Sequence, residues 1–211
     1  MSETGYYNHP RPELVRHLPP HARVVLDVGC GQGAFASGLK TIGELEIWGI
    51  EIDETAASVA ATRLDKVLIG DAIERAGELP DGGFDCIFCN DILEHLVHPE
   101  QLLALLATKL APGGRLVTSV PNVRHFWTAW DLFFRGRWDY ADEGILDRTH
   151  LRFFTRSTMA GMFVLCGYDI VHAEGLRPLG SLKFKLFNLM TLGAFREMGF
   201  LQYAWVLTRS A

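Results

Sequence analysis

Three stretches of this 211-residue chain carry residue types whose spacing could do chemistry. The first is Val25-Leu26-Asp27-Val28-Gly29-Cys30-Gly31-Gln32-Gly33. A β-branched run stops there at glycines, which let a backbone turn tightly and approach a ligand closely. Glu51 ends the next apolar run, about 20 residues on, from which an acid can accept hydrogen bonds from ribose hydroxyls. The second stretch is Asp91-Ile92-Leu93-Glu94-His95. In a helical turn Asp91, Glu94 and His95 would project to one side, so an acid could help hold a cofactor while His95 faces a substrate. A capped helix with Asp91 as its cap is the plainer account. The third is Asp147-Arg148-Thr149-His150-Leu151-Arg152-Phe153-Phe154-Thr155. An imidazole titrates near neutral pH, so His150 could take a proton from a substrate hydroxyl. Alternatively His150 and Asp147 brace the loop by hydrogen bonding.

Between the second and third stretches lies an aromatic, arginine-bearing segment, Arg124 to Tyr140. Phe126, Trp130 and Phe133 fall at helical spacing, which predicts a helix with one aromatic face that caps the site and excludes water. A substrate could stack on Trp127, Trp138 or Tyr140, with Arg135, Arg137 or Arg148 gripping an anionic group. Plain packing explains the same stripe. Cys86 and Cys89 form a CxxC, but on a strand they point to opposite faces, so they read as small core residues.

These residues need elements to position them. Apolar runs at residues 23–28, 45–52, 66–69, 84–89 and 115–120 predict strands. Helices are expected over residues 34–43, 53–64 (capped by Asp53), 99–110 (closed by Pro112-Gly113-Gly114) and 155–165 (capped by Thr155). Residues 168–173 and 202–208 predict two more strands, and residues 182–192 fit either helix or strand. Strands alternating with helices imply a parallel sheet whose ligands bind at the carboxyl edge.

Composition narrows the partners. The formal net charge is −5, with 48% hydrophobic and 21% charged residues, which is globular rather than disordered. Mild acidity argues against a nucleic-acid binder that relies on a broad basic face. Four irregularly spaced cysteines are no disulfide framework. No basic region followed by an apolar run opens the chain, and no run of about 18 apolar residues exists, so a cytoplasmic location is expected. Mean hydropathy is +0.11. Part of that excess lies in residues 182–205, where core packing, a dimer contact or a peripheral membrane contact would place it.

Taken in order, VLDVGCGQGAF, GIEID, GDAIE, FDCIFCNDILEHL and LAPGGRLVTSVPN resemble the successive motifs of class I S-adenosylmethionine-dependent methyltransferases. The resemblance runs over residues 23–122. It implies an α/β, doubly wound, Rossmann-like sheet of seven mostly parallel strands with an antiparallel last strand. It also implies a single methyltransferase domain over residues 1–211: cofactor-binding core 21–121, helical substrate cover 122–154, and C-terminal helix and strands 155–211. Carried across, Asp27, Gly29, Cys30, Gly31 and Gly33 would hold the methionine part of S-adenosylmethionine, and S-adenosylhomocysteine would be the product. Glu51 would bind the ribose, Ile52 would pack beside the adenine, Asp71 and Ala72 would meet its edge, and Asn90 would close the pocket below the sulfonium. Asp91, Trp127, Trp138, Tyr140 and Arg148 would face a small-molecule or glycan-type acceptor, methylated at oxygen by in-line displacement. His150, then His95, would be the base. Asp91, Glu94, His95 and His150 also resemble the divalent-metal ligands of ubiquinone-pathway O-methyltransferases and RNA-terminal 2′-O-methyltransferases. Asp91 stands where those families carry a glutamate, and no metal is expected. Two readings compete with catalysis by methyl transfer. Gly29-x-Gly31-x-x-Ala34 also fits the fingerprint of an NAD(P)-dependent oxidoreductase, although Asp27, Asp71 and the lack of a second domain oppose it. A cofactor-binding protein without catalysis is the other.

Overall fold

The computed structural model describes residues 11–210. A short helix α1 (Pro12–Val15) leads into β1 (Val24–Val28) and α2 (Ala34–Leu39). Then come β2 (Glu46–Glu51), α3 (Glu54–Ala60), β3 (Lys66–Ile69) and α4 (Ala72–Gly77). Next are β4 (Phe84–Asn90), α5 (Pro99–Lys109), β5 (Leu110–Pro121) and α6 (Phe126–Arg135). The chain continues through α7 (Arg156–Leu165), β6 (Tyr168–Pro178), α8 (Leu182–Met190) and β7 (Phe200–Arg209). The seven strands form one sheet in the order β3-β2-β1-β4-β5-β7-β6. β1 to β5 run parallel, and β7 enters antiparallel between β5 and β6. This is the Rossmann-like methyltransferase fold, with the antiparallel last strand that the motifs imply.

The continuous apolar runs follow from burial on both faces, as in parallel sheets covered by helices. Leu26, Val28, Ile87 and Cys89 meet α5 and α7 through Leu102, Leu106, Met159 and Phe163. Val25, Cys86, Phe88 and Ile47 meet α2 and Leu14 on the other face. Cys86 and Cys89 thus lie on opposite sides, as their spacing on a strand requires. Ring pairs lock both layers: Phe35 against Phe88 at 4.8 Å and Phe163 against Trp205 at 5.4 Å. Each such side chain contributes roughly 1.5–3 kcal/mol by leaving water.

Helix starts are fixed by the expected caps. Asp53 accepts from Ala56 N at 2.7 Å, and Thr155 closes a capping box with Thr158. One open choice is settled, and two elements depart from expectation. Residues 182–192 resolve as α8, with Ser181 accepting from Phe184 N. α4 was not expected; Asp71 starts it by accepting from Ile73 N at 2.8 Å. β6 extends well past Ala173 because it pairs with β7 all the way to Pro178↔Phe200. Among the described residues, no helix is long and apolar enough to cross a membrane.

Candidate active site

The carboxyl ends of β1, β2 and β4 converge on the glycine loop. Gly29 N and Cys30 N both donate to Ile50 O, at 2.8 and 3.0 Å, which lashes the loop to β2. Gly29 has φ +71, which L side chains rarely adopt, and a Cβ there would fall 2.0 Å from Ile92 Cδ1, so any side chain would displace Ile92. The loop therefore leaves a bare backbone cradle. Glu51 is 5% exposed. Its Oε2 accepts from Gly31 N at 2.8 Å and its Oε1 from Asp53 N at 3.0 Å, which fixes the carboxylate beside the cradle. Asp27 is buried under the loop with no basic partner among the described residues. Burial, and then the charge of Glu51, pushes its carboxyl up to about 8. Two carboxyls held this close leave room for a cation.

Other expected cofactor residues surround this cradle. Asn90 ends β4, and its Oδ1 and Nδ2 are both buried with no hydrogen-bond partner among the described residues. Gly70 N donates to Glu51 O at 2.9 Å, which sets Asp71 and Ala72 beside Glu51. The side chain of Asp71 is occupied in capping α4. Ile52 stands 70% exposed at the same edge. Cys30 differs: its thiol packs over Gly49 in the core, and burial raises its pKa.

The second and third stretches meet across the edge of β4. Asp91 has φ +54, so the backbone leaves helical geometry there, and only Leu93–His95 form a tight turn. Glu94 and His95 consequently part company with Asp91. Glu94 is 1% exposed, and neither of its carboxyl oxygens has a partner among the described residues. Burial, then Asp91, raises its pKa well above the ordinary carboxyl range. His95 and His150 stack edge to face with centroids 4.8 Å apart. Their ring nitrogens and a Glu94 oxygen all lie within 4.8 Å of one another. His150 Nδ1 donates to Ile145 O at 2.9 Å. A carbonyl can only accept, so the neutral ring keeps its lone pair on Nε2. Thr149 and Asp147 brace the segment through a 2.6 Å hydroxyl–carboxylate bond.

Asp91 is instead held by an ion pair with Arg11, by Ser119 Oγ at 3.1 Å and by Gln202 Nε2 at 3.0 Å. Arg11 is 7% exposed, and it also donates to Ser119 Oγ at 3.1 Å. Sequence reasoning did not find Arg11, Ser119 or Gln202, since no local pattern marks residues that meet only through the sheet.

The cover separates into two aromatic groups. Phe153 contacts Trp138 at 5.1 Å, Tyr140 at 6.3 Å and His150 at 6.4 Å. Trp127 lies elsewhere, against Phe126 at 5.0 Å in a cluster shared with α8. The expected single face is also revised. Trp130 contacts Phe126 and Phe134, while Phe133 turns out to 82% exposure. Arg148 sits on the surface, paired with Asp142.

Comparison with known proteins now decides the family. Residues 6–173 match the model of a methyltransferase-domain family. The chain belongs to that family. A curated relative, the ubiquinone biosynthesis O-methyltransferase of Burkholderia multivorans, is 30% identical over 172 residues, covering 77% of this chain and 72% of that protein. The protein of the same name from Albidiferax ferrireducens is 31% identical over 119 residues, 53% of this chain. There the chain spans about half the relative's length, 47%. The crystal structure of a SAM-dependent methyltransferase from Archaeoglobus fulgidus superposes with a TM-score of 0.72 at 22% identity, covering 93% of this chain and 91% of that one. At that identity the likeness speaks for the fold of the methyltransferase domain.

Proposed function

We propose that this methyltransferase-domain chain transfers the methyl group of S-adenosylmethionine to an oxygen of a small acceptor carrying an aromatic ring. The observation that carries the reading is the cradle: a turn of left-handed glycines, flanked by Asp27 and Glu51 and completed by Asn90, whose buried amide lacks a partner among the described residues. Those groups fit the cofactor's donors and acceptors. Asp27 would hold the ammonium of the methionine part, Glu51 the ribose hydroxyls, and Ile52 would pack on the adenine. Asn90 would supply amide donors and a carbonyl acceptor near the sulfonium, and Asp71 and Ala72 would border the base. When bound, the cofactor supplies an activated methyl group on a good leaving group, so the chain's part is orientation and water exclusion.

The acceptor side rests on Phe153 with Trp138 and Tyr140, which form an aromatic wall leading to His150. His150 Nε2 takes the hydroxyl proton, because Nδ1 is tied to Ile145 O. His95 packs edge to face on that imidazole, and Asp147 O accepts from His150 N at 3.1 Å. The names of the curated relatives point the same way, toward oxygen.

A second reading is favoured by the packing of Glu94, His95 and His150. One carboxyl and two imidazoles within 4.8 Å suit a borderline divalent ion. Asp91 is committed to Arg11 and falls outside that set. Such an ion would lower the pKa of an acceptor hydroxyl. The test is radiolabelled methyl transfer to a panel of phenols and catechols, before and after chelation. Turnover that survives chelation but falls at least about 100-fold in His150→Ala supports the base. Turnover lost on chelation and restored by a divalent ion supports the metal. Absence of any transfer across the panel, with the cofactor bound, overturns the acceptor class.

A further inference from the structure

The surface farthest from an ordinary soluble pattern is α8. A helix turns about 100° per residue. That places Phe184 and Phe187 on one side, where both rings meet Phe126 of α6 at 5.3 and 5.4 Å. Leu182, Leu186, Leu189 and Met190 occupy the opposite side and are 80%, 57%, 72% and 76% exposed. Leu192, just beyond the helix, is 95% exposed. Lys183 and Lys185 project from the two shoulders between these faces, both exposed. A monomeric soluble protein scatters its exposed leucines, whereas a contiguous stripe marks an interaction surface.

Charge chooses the partner. From Gly175 to Arg196 there is no Asp or Glu, while Arg177, Lys183, Lys185 and Arg196 give four cations, in a chain whose net charge is −5. All four are exposed. An apolar stripe with a lysine on each shoulder is the pattern of a helix lying in a bilayer interface, its amines reaching out to anionic headgroups along aliphatic stems. Self-association through α8 would set Lys183 and Lys185 against their own copies, and like charges would then oppose the contact. α6 reinforces the assignment: it packs on α8 through Phe126 and carries Phe133 and Phe134, 82% and 63% exposed, toward its end.

We infer that α8 docks this protein on an anionic lipid bilayer, with Leu182, Leu186, Leu189 and Met190 inserted and Lys183 and Lys185 at headgroup level. The contact is peripheral, and it is independent of the reading of the methyl-transfer site. Because α6 also borders the acceptor cover, an acceptor dissolved in the membrane would meet the site from this side.

The test is co-sedimentation of the full chain with vesicles of phosphatidylcholine alone, or of phosphatidylcholine mixed two to one with phosphatidylglycerol. Binding is expected to the mixed vesicles, weakening as salt rises. The pair L186E/L189E should abolish it, and K183E/K185E should lower the partition coefficient by about 25-fold or more, since each basic residue contributes roughly five-fold. These side chains are exposed, so far-UV dichroism and the affinity for S-adenosylhomocysteine should not change. Equal binding to neutral vesicles, no binding to either, or full binding by L186E/L189E overturns the inference. So does a dimer that L186E/L189E splits while vesicles capture neither form.

Discussion

Asp27 offers the most quantitative test of the cofactor site. Its carboxyl is 4% exposed, and burial with Glu51 nearby pushes it up to about 8. At pH 7 the free protein therefore holds Asp27 about nine-tenths protonated. An ammonium group seated against it favours the carboxylate. Binding S-adenosylhomocysteine at pH 7 should then expel up to about 0.9 proton, and ionising Asp27 at that pH costs about 1.4 kcal/mol. Affinity should accordingly rise about tenfold from pH 6 to pH 7. Titration calorimetry in two buffers of very different ionisation enthalpy reads the released proton directly. Asp27→Asn should bind more weakly at pH 8, release no proton and lose the pH dependence. Equal heats in the two buffers at pH 7, or a flat affinity between pH 6 and pH 7, would refute the pairing. Stability carries the same signature with the opposite outcome for the variant. The unfolded carboxyl titrates near 3.8. The folded state thus keeps a proton that the unfolded chain has shed, so this contribution is complete below about pH 4 and drains away as pH climbs through about 8. Without ligand, Asp27→Asn should melt above the parent at pH 8 and near it at pH 4.

Glu51→Ala removes the carboxylate that Gly31 N and Asp53 N hold in place, and should weaken S-adenosylhomocysteine binding by about 2–3 kcal/mol, some thirtyfold or more, by calorimetry; intact affinity would sink the ribose assignment. Gly29→Ala combines φ +71 with a methyl 2.0 Å from Ile92 Cδ1, and should cost about 2–4 kcal/mol in urea unfolding. Gly113→Ala, at φ +78 but with open space around it, should cost only about 1–2 kcal/mol. Equal losses at the two positions would mean that Ile92 moves aside.

The parallel half of the sheet was legible because its strands are buried on both faces and read as unbroken apolar runs stopped by glycine or proline. Their ends placed Asp27 and Glu51 at one sheet edge from the pattern alone, whereas Asn90 was named only through the family resemblance. α4 escaped because six residues, Ala72–Gly77, are too few to show a helical period, and its cap Asp71 has another reading at a strand end. The second stretch misled for a backbone reason. The spacing of Asp91, Glu94 and His95 assumes a helix, but φ +54 at Asp91 turns the first acid toward Arg11 and Gln202 while the other two reach His150. Arg11 lies 80 residues from Asp91, and no periodicity connects them. The cover failed in part for a similar reason: Trp127 and Trp138 look equivalent in sequence, yet one packs on α8 and the other on Phe153.

The position of β7 has a consequence for how the molecule comes into being. β6 is the edge strand, and its neighbour in the sheet is β7, which follows it in the chain. During synthesis β6 therefore emerges before its partner, and the outer edge of β5 stays open until residues Phe200–Arg209 arrive to fill both ladders. Open strand edges template unwanted pairing, so the nascent chain passes through an aggregation-exposed interval. Gln202, which donates to Asp91 beside the glycine loop, belongs to that late strand. Completion of the hydrogen-bond network around Asp91 and closure of the sheet are then one event.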